Sequence, residues 1–156
     1  MSDRLFKQIN VEIEQLTILV EKFKPLVAKC SLHEPDVFEV VALGSMLHSF
    51  YTGVENVFNR VRKEFLGDVQ KSDRWHKDLL DYMAQPSQQL PAILSMELRN
   101  RLSGYLDFRH MFRQAYHVDL SWGKMKNLVF GCEETLHMLE NELRIFMEKL
   151  RSPNPE

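Results

Sequence analysis

Two arginines, two histidines and a tyrosine crowd into the stretch Phe108-Arg109-His110-Met111-Phe112-Arg113-Gln114-Ala115-Tyr116-His117. On a helix turning about 100° per residue, Arg109, Arg113, Tyr116 and His117 fall within an arc of roughly 100°, with His110 at its far edge. Such a surface suits phosphodiester chemistry. A guanidinium is a planar fork for phosphate oxygens and stabilises charge building on phosphorus. An imidazole titrates at about 6.5 and moves protons at neutral pH. A phenol orients a phosphate or stacks on a base. Arg109 stands where the apolar stripe of its segment calls for a hydrophobic residue. A charge there must be paired, solvated in a cleft or bound to an anion. Glu39, Glu55 and Glu97 are the acids available for such pairing, and Glu55 is one that could orient Arg109 across a bundle. Pairing of this kind is a structural role and needs no ligand.

The elements that must hold these residues read as helices. Leu5, Ile9, Leu16, Val20, Phe23 and Val27 recur at helical spacing from about Asp3 to Ala28, with Pro25 expected to kink or restart the helix. Val40, Leu43, Leu47, Phe50, Val54, Val57, Val61 and Phe65 mark a second helix from Pro35 to Phe65, stopped by Gly67. Trp75, Leu79 and Met83 mark a short third, Asp73 to Ala84. The fourth is expected from near Pro91 to His117 on Leu98, Leu102, Tyr105, Arg109, Phe112 and Tyr116. The fifth follows an Asp119–Gly123 corner and runs from Trp122 to Leu150. Gly44, Gly53 and Gly104 lie inside helices, where they let a neighbour pack closely. No segment alternates with period two. The expected fold is all-α, an up-and-down bundle of about five helices spanning residues 1–151, with 152–156 a frayed tail. Its sustained apolar seams leave room for a second copy, so a homodimer is expected.

Composition narrows the function. The chain has 156 residues, 44% hydrophobic and 27% charged, which fits one globular domain. No uninterrupted apolar run has the length of a membrane span, and the first residues carry charges where a signal peptide is apolar. Two cysteines give no disulfide framework. These features point to the cytoplasm and away from a membrane. Phosphate-loop, dinucleotide, nucleophile-elbow and zinc-protease signatures are missing, and the scattered histidines have poor metal spacing, so no metal is expected. The net charge of −2 argues against a broadly basic nucleic-acid coat. Yet residues 99–126 hold six basic and two acidic residues, a local +4 against −6 for the rest. A local anion site on an acidic body follows from that split. His48, Trp75 and Trp122 read as packing residues.

The chain resembles the HepT-like branch of the HEPN superfamily over about residues 35–130. The blocks that carry the resemblance are Leu47–Asn56, Trp75–Leu80, Tyr105–His110, Tyr116 and Leu120-Ser121-Trp122. The resemblance implies a helical homodimer in which two signature helices form one RNA-binding cleft. It implies a metal-independent endoribonuclease, the toxin of a toxin–antitoxin pair, in which the ribose 2′-hydroxyl attacks the adjacent phosphate. It also implies neutralisation by a nucleotidyltransferase antitoxin, which uses ATP and Mg to transfer AMP onto a tyrosine; the chain itself would need no cofactor. Carried over residue by residue, Arg109 matches the signature Arg and Tyr116 the AMP-accepting Tyr. Gln114 stands where the family has His, and an amide cannot shuttle a proton. Three explanations stay open. His110 or His117 takes over the proton work, with Arg109 and Arg113 holding the phosphate. Alternatively the chain is a non-catalytic binding module or partner subunit of a nucleotidyltransferase. Or Gln114 is an inactivating substitution.

Overall fold

Helical periodicity throughout the chain resolves into helices packed by their apolar stripes. The computed structural model describes residues 2–152, so Met1 and residues 153–156, most of the expected frayed tail, lie outside the described residues. Among the described residues there are five α-helices and no strand. They are α1 (Ser2–Cys30), α2 (Val37–Leu66), α3 (Trp75–Ala84), α4 (Met96–Gln114) and α5 (Trp122–Arg151). A 3-10 turn, His117–Asp119, joins α4 to α5. The all-α bundle is as expected.

α2 is the central element and packs on all the others. Its Val40, Leu43, Leu47, Phe50, Val54, Val57 and Val61 are buried. Asp36 and Glu39 start it with a reciprocal capping box. By length and composition α2 is the one described helix that could cross a membrane, but here its apolar residues form the bundle core. Gly53 lies so close to α1 that a Cβ would stand 2.5 Å from Leu16 Cδ2. Gly44 is similarly confined nearer the start of α2, where a Cβ would meet Phe112 and Leu120, each at 2.9 Å.

Several boundaries differ from the sequence reading, for identifiable reasons. α1 continues through Pro25 without restarting. The carbonyl that loses its partner there belongs to Glu21, an exposed position where water can replace the missing donor. α4 begins at Met96 and not near Pro91. Ser95 caps it by accepting from the Leu98 amide, while Ile93 and Leu94 donate to the Met83 carbonyl and are held against the end of α3. α4 also ends at Gln114, short of the expected His117. Ala115 and Tyr116 are extended, so Tyr116 and His117 do not continue the helical arc that the spacing suggested.

Candidate functional site

The site is built on Arg109, a charged side chain that is only 2% exposed. α4 carries it inward on the same face as Leu98, Leu102, Tyr105 and Phe112. α2 answers from the opposite side with Glu55, itself buried on that helix's apolar stripe. Arg109 Nη2 donates to Glu55 Oε2 at 2.9 Å. Nη1 reaches Thr52 Oγ1 at 3.4 Å, and the guanidinium lies 4.8 Å from the centre of the Tyr51 ring. The pairing of Arg109 with Glu55 anticipated from sequence is therefore present, and it explains how the charge survives in the core. Tyr51 packs beside this pair, and burial pushes its phenol well above the usual range.

A third group completes the cluster. His76, in the first turn of α3, places Nδ1 at 2.8 and 2.9 Å from the two Glu55 oxygens. The same Nδ1 is 3.1 Å from Arg109 Nη2. A carboxylate only accepts, so Nδ1 carries a proton and donates to Glu55. The guanidinium nitrogen is then a second donor, drawn close by a shared acceptor. Trp75 packs against the imidazole at 3.9 Å between centroids, the rings tilted by 33°, and Lys71 covers the indole. Sequence reading gave His76 no role. Its signal was present in the spacing, because His76, Leu79, Leu80 and Met83 share one face of α3.

Above this cluster, a cavity of about 430 Å³ opens between α3 and α4. Arg109 forms its floor, and His110, Arg113 and Asp107 line it from α4. His76 and Lys77 line it from α3, with Arg74 and Asp73 just before that helix. Arg113 and His110 are exposed, and Arg113 makes no ion pair among the described residues. Guanidinium and ammonium groups around a cleft of this size suit a phosphate group. The local +4 of residues 99–126 is largely spent on internal pairs: Arg99 binds Asp81, Arg101 binds Glu134, and Arg109 binds Glu55. The cationic character of the pocket instead owes much to Arg74 and Lys77, which lie outside that segment.

The remaining sequence-chosen residues stand apart. Gln114 is the exposed last residue of α4 and does not line the cavity. Tyr116 follows it and is 83% exposed. His117 folds back on Phe112, stacked at 3.9 Å, with Nε2–H donating to the Phe112 carbonyl at 3.0 Å. His48 also packs near the Phe112 ring, 5.4 Å between centroids. Its pKa is lowered, first by burial and then by Arg113, Arg109 and His117. The structure thus joins Arg109, His110 and Arg113 in one cavity and places Gln114, Tyr116 and His117 beyond its rim.

Comparison with known proteins adds the family. Neither curated proteins nor solved structures yield a match. Residues 42–150 match the family described as HepT-like protein, a stretch that holds α3, α4 and every residue of the cavity. That match covers most of the chain, so the chain belongs to the HepT-like family of the HEPN superfamily.

Proposed function

We propose that the chain is a cytoplasmic, metal-independent endoribonuclease, the toxin of a toxin–antitoxin pair, which works as a homodimer. The family supplies the toxin–antitoxin setting. The observation that carries the reading further is the α3–α4 cavity, which buried Arg109 and exposed Arg113 and His110 line together. Arg113 and Lys77 would hold the scissile phosphate, while Arg109 forms the fixed floor beneath it. Attack by the ribose 2′-oxygen forms a bond to phosphorus and breaks the bond to the 5′-oxygen. The products are a 2′,3′-cyclic phosphate and a 5′-hydroxyl. Tyr116, exposed beside this helix end, would accept AMP from a nucleotidyltransferase antitoxin using ATP and Mg.

The test is RNA cleavage by the purified chain in EDTA. Arg113→Ala is the informative variant, because Arg113 is exposed and its removal leaves the core intact. The expected loss is roughly 100-fold, the scale for removing one donor to a developing anion. Cleavage unchanged by Arg113→Ala would move the reaction away from this cavity. Gln114 favours a second reading, a non-catalytic module that binds RNA or a nucleotidyltransferase through the same cavity. RNA binding without any cleavage in the same assay would select it.

A further inference from the structure

We infer that His76 is the proton acceptor of this site, held for that task by Glu55, and that it supplies the function missing at Gln114. The inference rests on the ribonuclease reading and names a group that the reading lacks. Nδ1–H of His76 is fixed on both oxygens of Glu55, at 2.9 and 2.8 Å. That bond sets the tautomer, so the lone pair of the neutral ring sits on Nε2. Nε2 has no hydrogen-bond partner among the described residues and is not sealed in the core. His76 lines the cavity that Arg113 and His110 line, and its side chain is 30% exposed while Glu55 is 7% exposed. A buried carboxylate behind one imidazole nitrogen with the other nitrogen facing a cleft is the arrangement that orients a general base and stabilises the imidazolium it becomes.

The alternative histidines are less well placed. Nε2–H of His117 is committed to the Phe112 carbonyl. His110 lines the cavity but has no carboxylate partner to fix its ring among the described residues. In the step proposed, His76 Nε2 takes the proton of the 2′-hydroxyl as its oxygen bonds to phosphorus. The 5′-oxygen leaves with the electron pair of its broken bond and takes a proton from water. Glu55 is a positioning residue and keeps its charge throughout.

The charged surroundings of the ring are mixed. Glu55 faces it from α2, and Arg109, Asp107, His110 and Arg113 face it from α4. Lys77, Arg74 and Asp73 flank it on its own side.

The experiment uses the full chain and a pool of random-sequence RNA oligonucleotides in EDTA. It compares His76→Asn, His76→Ala and, as control, the exposed His137→Ala on α5. Asn keeps an N–H donor for Glu55 but cannot carry a proton. Expected is a loss of roughly 100-fold or more in both His76 variants, the scale of general-base catalysis. Added imidazole should restore part of the activity of His76→Ala, and His137→Ala should stay at the wild-type rate. His76→Asn should melt at the wild-type temperature. Activity retained in His76→Asn, or a loss in His76→Ala without imidazole rescue, would overturn His76 as the base and leave the ribonuclease reading standing. Absence of cleavage by the wild-type chain would overturn both.

Discussion

Glu55→Ala is expected to cost about 3–5 kcal/mol of stability, because it leaves the guanidinium of Arg109 buried without its counter-charge. Arg109 is 2% exposed and its nearest remaining oxygen would be Thr52 Oγ1, a neutral acceptor at 3.4 Å. In a domain of this size that loss lowers the melting temperature by about 6–20 °C. Thermal melts followed by circular dichroism measure it. The double replacement Glu55→Leu with Arg109→Met should regain most of the loss, since it removes both charges and keeps the volume. Arg113→Ala should change stability by less than about 0.5 kcal/mol, as expected for an exposed side chain with no partner. A neutral Glu55→Ala would mean that water reaches Arg109 and that the cluster is not a core element. The contrast separates the two arginines: one holds the site together, and the other is free to hold a ligand.

The second large effect is at Tyr116. If the proposed AMP transfer occurs, it would add a phosphodiester and an adenine ring to Tyr116, just beyond the end of the helix that carries Arg113. Mass spectrometry after incubation with the cognate nucleotidyltransferase, ATP and Mg should find the adduct on Tyr116. Cleavage by the modified chain should drop on the order of 100-fold, the scale of losing one or two charge-assisted contacts. Tyr116→Phe should stay unmodified and fully active under the same treatment. An adduct on another residue, or a modified chain that still cleaves RNA, would remove Tyr116 from the account. The 83% exposure of Tyr116 fits a residue that a partner enzyme must reach.

Much of this was legible in the sequence. Apolar spacings of three and four located all five helices, and Arg109 was conspicuous as a charge on an apolar stripe. Glu55 was among the acids named for it, and the bundle brings the two together. The end of α4 was not legible. Ala115 is a strong helix former, and neither Gly nor Pro marks a stop there. Packing coincides with the end of the helix instead: His117 folds back on Phe112, and Leu120 packs against α2 where Gly44 leaves room. Counting charges along the chain also misled, because it could not show that Arg99, Arg101 and Arg109 are each tied to an acid on another helix. Nor could it show that Arg74 and Lys77 are brought beside Arg113. His76 was overlooked because its partner lies 21 positions earlier in the chain, on a different helix.

If the cavity cleaves RNA as proposed, without a metal, cleavage depends on the ribose 2′-hydroxyl. The direct measurement offers the purified chain two pools of random-sequence RNA in EDTA, one with ribose throughout and one methylated at every 2′-oxygen. Expected is cleavage of the first pool to fragments ending in 2′,3′-cyclic phosphate and no cleavage of the second. An intact ribose pool, or equal cleavage of the methylated one, would contradict it.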